Sequence, residues 1–141
     1  MPELGEAVPQ RDAAIQLVEM LYEAFTARDL ETLTSLLDPE IEFFPVGTAK
    51  LTGKKAPYRG HEGMSEYFRD IGEVWQELRV VPQQFEVSGA RVLVLGRVYA
   101  RDRDGGLVDS PAGWVWELRG QRFASGRVFE SHEEARAGIG T

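Results

Sequence analysis

The sequence predicts an α+β fold in which a curved antiparallel sheet wraps around three helices of the N-terminal half. Three observations lead there. Apolar residues recur at helical spacing in three stretches that end by residue 75. From residue 78 onward the chain turns to strand-like runs, at 78–87, 91–102, 107–119 and 122–130, joined by short turns. In the third of these runs Trp114, Trp116 and Leu118 alternate with Val115, Glu117 and Arg119, which puts two tryptophans on one face. Long meandering strands coil, and a coiled sheet has a concave side.

The elements follow in order. Residues 1–11 read as a flexible tail, and residues 12–141 as a single domain. Asp12 is placed to cap a helix reaching about residue 27, with Ile15, Val18, Leu21, Tyr22 and Phe25 on its apolar stripe. Asp29 opens a short second helix through Leu30, Leu33, Leu36 and Leu37. Asp38-Pro39 ends it, because proline disfavours helix in the residue before it. Residues 41–46 form a strand and 47–60 a polar loop. Residues 60–75 return to helical spacing through Met64, Tyr67, Phe68, Ile71, Val74 and Trp75. Pro82 predicts a bend or bulge in the strand 78–87. Ser88-Gly89, Asp104-Gly105-Gly106 and Gly120 supply the hairpin turns. Ser131 caps a closing helix over 131–137.

Composition excludes several classes of function. The 141 residues suffice for one core, and the formal net charge of -7 opposes a nucleic-acid partner, which needs a basic face. No run approaches a membrane span. The acidic N-terminus does not read as a secretory signal. With no cysteine there is no disulfide or thiol nucleophile, as expected of a cytoplasmic protein. Two histidines 71 positions apart make a zinc site improbable, and no cofactor motif stands up. The stretch from Gly47 to Lys55 imitates a phosphate-binding loop, but its glycines are one residue too far apart and Lys55 occupies the Ser/Thr position. Asp102-Arg103-Asp104-Gly105 lacks the closing glutamate of a calcium loop. Arginine outnumbers lysine thirteen to three, a bias expected of GC-rich bacterial coding.

Five stretches resemble the SnoaL-like branch of the nuclear transport factor 2-like superfamily, the cystatin-like cone fold shared with ketosteroid isomerases. They are 24–33 (AFTARDLETL), 37–43 (LDPEIEF), 58–64 (YRGHEGM), 114–119 (WVWELR), and the ending 126–129 (GRVF) with 133–138 (EEARAG). Together they cover nearly the whole chain. The resemblance implies a conical pocket for a small hydrophobic or weakly anionic molecule, and commonly a homodimer. It implies no single reaction, since isomerases, cyclases, hydrolases and proteins without known activity share the fold. Ketosteroid isomerases carry an aspartate general base just before a proline after the first strand. Here the position reads Glu42-Phe43-Phe44-Pro45, so Phe44 stands where that base would be.

Candidate site residues follow from the alternation. Glu42 is the nearest carboxylate and shares a strand face with Phe44. Inside an apolar cone its pKa would rise and make it a base, whereas on the strand surface it would be an ordinary solvated glutamate. Arg127 shares its alternating face with Phe123 and Phe129. It would meet an oxyanion or carboxylate in a pocket, or a structural carboxylate in a core. Tyr22, Phe44, Tyr58, Trp75, Tyr99, Trp114 and Trp116 are the expected pocket walls. His61, at a helix start, is a lesser acid–base candidate. Lys50, Lys54 and Lys55, the only lysines, could steer an anion toward the mouth. Two functions remain open: an enzyme of unspecified reaction, or a non-catalytic binding or interaction protein of the same fold. In the run 91–102 both faces are apolar, so its facing is undetermined.

Overall fold

A computed structural model describes residues 10–53 and 56–139. Helix α1 (Arg11–Thr26) and the short α2 (Leu30–Ser35) lead into strand β1 (Leu37–Phe44). Helix α3 (Val46–Thr52), strand β2 (Tyr58–Arg59) and helix α4 (Gly60–Val74) follow. The chain then runs through β3 (Trp75–Ser88), β4 (Arg91–Asp102), β5 (Leu107–Arg119) and β6 (Arg122–Phe129), and closes with helix α5 (His132–Ile139). The six strands form one sheet in the order β2-β1-β6-β5-β4-β3. Only β1 and β6 pair in parallel, so the first strand is carried back to lie beside the last. The sheet is curved and unclosed, with the helices of the N-terminal half against its concave side.

Local chemistry accounts for most boundaries. Asp29 caps α2 by accepting the Thr32 N–H at 3.1 Å, and Ser131 caps α5 by accepting the Glu134 N–H at 3.1 Å. Asp12 is not a cap: α1 starts two residues earlier than that would require, at Arg11, with Gln10 at the N-cap and no side-chain bond there. Asp12 instead sits in the first turn, where a negative charge complements the helix dipole. Arg28 ends the α1 turn in the left-handed region at φ 55. Its guanidinium donates to the carbonyls of Phe25 and, at 2.9 Å, Leu78, tying this corner to β3.

Three boundaries differ from the sequence expectation. The stretch expected as a polar loop holds α3, a seven-residue helix with Gly53 in the left-handed C-cap conformation. Strand β1 begins at Leu37 rather than at 41, and its pairing with β6 shifts register between Leu37 and Glu42, where Pro39 can donate nothing to a ladder. Trp75 leaves the helix: its backbone is extended, and it opens β3. The bulge expected near Pro82 is present, as a register shift between Pro82 and Gln84.

The main core lies between the concave face and α1, α2 and α4. Val18, Ile41 and Phe123 are among its fully buried members. Each such side chain contributes roughly 1.5–3 kcal/mol through burial. A second, smaller cluster lies on the other side of the sheet, where Leu93 and Leu95 pack with Ala135 of α5. That explains why β4 is apolar on both faces. Val92 and Val94 belong to the main core, while Leu93 and Leu95 belong to the cluster beneath α5. Gly113 lets α5 approach so closely, since a Cβ there would overlap that of Ala135.

Candidate functional site

The cavity enclosed by the cone has a volume of about 330 Å³. Helix α1 supplies Leu21, Tyr22 and Phe25, α4 supplies Met64 and Tyr67, and α3 supplies Val46, Gly47 and Thr48. The sheet supplies Phe43, Trp75, Leu78, Val80, Val98, Ala112, Trp114, Trp116 and Val128. Burial of so many aromatics leaves most of the wall apolar. Phe43 stacks on Trp116 at 5.6 Å between ring centres, with 6° between the planes. Tyr22 meets Trp114 edge-on at 5.5 Å.

Polar groups in the interior are few and paired. Trp116 Nε1 donates to the Tyr22 hydroxyl at 3.2 Å. Trp75 Nε1 donates to Thr48 Oγ1 at 3.0 Å. Burial pushes the Tyr22 phenol well above its ordinary pKa, against a lowering by the Trp116 bond. Burial also raises that of Tyr67, against lowerings by Thr48 and by the Arg28 charge. Both hydroxyls are therefore protonated at neutral pH. At the solvent side of the cavity, Lys50 and Glu130 form an ion pair with exposed side chains. Asp102 also lines the cavity, but its Oδ1 accepts the N–H groups of Asp104 and Gly106, both at 2.9 Å.

Of the residues singled out in the sequence, Tyr22, Trp75, Trp114 and Trp116 come together on this wall. Lys50 is at the cavity's solvent side, and the others lie elsewhere. Phe43 faces inward on β1, so alternation turns Glu42 and Phe44 outward. Glu42 is paired with Arg59 at 3.3 Å, its opposite number on β2. Arg127 is on the outer face beside Phe44, its guanidinium 5.4 Å from that ring and 5.6 Å from Phe129. The cause is a bulge. The β5–β6 pairing runs Glu117↔Ser125 and then Leu118↔Phe123, so Ala124 is the extra residue. Phe123 therefore joins Gly126 and Val128 on the inner face, while Ser125 and Arg127 turn out. Tyr58 sits behind Tyr67 and donates to Asp70 at 2.6 Å. Tyr99 is on the outer face beneath Arg79, at 5.0 Å. His61 and His132 bond the carbonyls of Leu37 (3.0 Å) and Gly96 (2.9 Å), so each secures backbone. Lys54 and Lys55 lie outside the described residues.

Thr48 and Tyr67 are the site residues the sequence did not single out. Tyr67 is on an apolar helical stripe, where a ring reads as core. Thr48 is in the stretch expected to be loop, and no periodicity marks it. Among the described residues no cluster of His, Asp or Glu could hold a metal ion. No helix there is long and apolar enough to cross a membrane.

Residues 18–126 match the model of the SnoaL-like domain. The chain belongs to that family. Several proteins of known structure share the fold. An NTF2-like protein of unknown function from Burkholderia pseudomallei superposes with a TM-score of 0.77 at 24% identity, over 92% of this chain and 98% of that one. TerC, crystallised with polyporic acid, gives 0.76 at 22% identity, over 92% and 99%. A putative SnoaL-like polyketide cyclase from Jannaschia gives 0.70 at 18% identity, over 93% and 94%. No curated protein sequence matches the chain.

Proposed function

We propose that this SnoaL-like chain binds a small, largely apolar, neutral molecule in the cone, and that the inner cavity does no proton-transfer chemistry. The observation that carries the reading is the lining itself. Its wall is apolar and aromatic, and its inner hydroxyls, Tyr22, Thr48 and Tyr67, are neutral at physiological pH. In this reading Tyr22, Trp75, Trp114 and Trp116 hold the ligand by contact area. A cavity of about 330 Å³ is at the small end of ligand sites. A catalytic reading, of the kind named for the Jannaschia relative, would need a base. The carboxylates on the lining are Asp102, committed to backbone amides, and Glu130, committed to Lys50. The homodimer expected from the sequence belongs to the same proposal, with sedimentation of twice the 15.8 kDa chain mass as its test.

The experiment uses the chain's own reporters. Its three tryptophans all line the cavity, so occupancy should change their emission. Steroids, terpenoids, polyketides and aromatic acids are titrated, and at least one class should give a saturable change with a matching rise in Tm. Val108→Trp, at a half-buried wall position, should abolish that response in a folded protein. A response unaffected by this substitution, or no response from any class, would overturn the reading.

A further inference from the structure

We infer that the chain has a second binding site, on the outside of the cone, where the guanidinium of Arg127 receives a small monocarboxylic acid with an apolar body. This goes beyond the cone reading and does not depend on it.

The site is a second cavity, of about 350 Å³, bounded by β1, β2, α3, β6 and the first turn of α5. It backs onto the cone. Val46, Phe129 and Glu130 line both cavities, while Phe44, Ala49 and Arg127 line only the outer one. Strand register builds it. The parallel β1–β6 pairing sets Phe44 opposite Arg127. The bulge at Ala124 turns Arg127 outward, and alternation puts Phe129 on the same face.

The Arg127 guanidinium is 5.4 Å from the Phe44 ring and 5.6 Å from the Phe129 ring, so two aromatic side chains hold it in place. A guanidinium carries five N–H donors in a planar fork that matches a carboxylate. Among the described residues no side chain or carbonyl accepts from them. The chain has 23 acidic residues against 16 basic ones, yet it leaves this arginine without a carboxylate. Two carboxylates line the cavity, and both are engaged. Glu130 pairs with Lys50. Glu134 accepts the Ser131 hydroxyl at 3.2 Å, as part of the cap of α5. The fork is therefore held in position with its donors unused. Phe44, which is 36% exposed, and Val46 and Ala49 of α3 offer an apolar wall for the body of a ligand. A neutral molecule would use the wall and leave the fork unmet. A dianion would bring its second charge against Glu134, so a carboxylate suits the site better than a phosphate.

Three probes with one ring system separate the cases: 2-naphthoate, the neutral 2-naphthamide, and 2-naphthyl phosphate. Affinities are measured by equilibrium dialysis against the whole chain and against Val108→Trp, which fills the cone and does not touch the outer cavity. Naphthoate should bind both proteins with a Kd below ~1 mM, within reach of a ligand of this size. It should bind about three- to tenfold more tightly than naphthamide, the return on a charge-assisted pair at a partly exposed site. The phosphate should bind no more tightly than naphthoate. Arg127→Gln should erase the preference for naphthoate over naphthamide. Arg127→Lys, which keeps the charge and loses the fork, should retain only part of it. Arg127 is exposed, so both variants should keep the parent's Tm. Naphthoate binding that Val108→Trp abolishes and Arg127→Gln leaves untouched would overturn the outer site. So would no saturable binding of naphthoate, equal or tighter binding of naphthamide, or tighter binding of the phosphate.

Discussion

Gly126→Ala should be far more costly than its single methyl group implies. Gly126 is the cross-strand partner of Trp116. A Cβ placed on it would lie 2.9 Å from Cη2 of that indole and closer still to Cζ3 and Cε3. The ring is a rigid plate held on three sides, by the Phe43 stack, the Tyr22 hydroxyl and the edge of Phe123 at 5.5 Å. It cannot yield by rotating a flexible end. Overpacking of this kind costs about 1–3 kcal/mol, and partial loss of the stack and of the Tyr22 bond adds about 1 kcal/mol. Against this, alanine restricts the unfolded chain and returns about 0.4–1 kcal/mol. The net expectation is a loss of about 1–3.5 kcal/mol. For a chain of this size that lowers Tm by about 3–15 °C. Thermal unfolding followed by circular dichroism measures it. The tryptophan emission of the folded variant should also shift, because a reporter on the cavity wall has moved. A variant with the parent's Tm or a higher one, and unaltered emission, would refute the claim that Gly126 is there to admit the ring.

Arg127→Ala should change stability by no more than about 0.5 kcal/mol and leave ligand binding in the cone intact, because the side chain is on the outer face with no ion-pair partner among the described residues; binding assays on a stable variant decide it. Lys50→Ala breaks an exposed pair and should cost less than about 1 kcal/mol, while changing the rate at which a bound ligand exchanges, read by stopped-flow fluorescence. At high pH the buried phenols of Tyr22 and Tyr67 work against the native state. Their folded pKa values lie above the unfolded value of about 10, so their contribution is complete below pH ~10 and is lost as pH climbs past it. Tm should fall above that point, and the tyrosinate absorbance of these residues should appear only with unfolding.

The fold was legible because its signals were redundant. Each long helix showed its stripe, the hairpin turns carried glycine, and the cone-like order of elements held even where single boundaries moved. Short elements were not legible. A seven-residue α3 has too few turns for periodicity to register, and Gly47 and Thr48 are weak helix formers. Those same residues form part of the cavity wall, so the illegible stretch is also one that shapes the candidate site. In β4 a different obstacle stood in the way: apolar residues on both faces reflect two cores, one on each side of the sheet, and alternation cannot choose a face when both are buried.

The facing of the candidate site turned on a single residue. Read by strict alternation, Phe123, Ser125, Arg127 and Phe129 share a face, and a pocket arginine follows. The extra residue Ala124 breaks that parity and puts Phe123 inside and Arg127 outside. Energetics favour this register for reasons that were present in the residues themselves. An inward Arg127 would have to leave water for a wall that is mostly apolar, a penalty of several kcal/mol, and Gly126 would then face out while Trp116 sought room against a larger neighbour. With the bulge, the charge stays solvated, the glycine lies under the indole, and Phe123 is fully buried. The arginine and the glycine are adjacent, so one shift satisfies both. An arginine next to a glycine that faces a tryptophan across the ladder is thus evidence about register, and a period-two rule applied residue by residue does not use it.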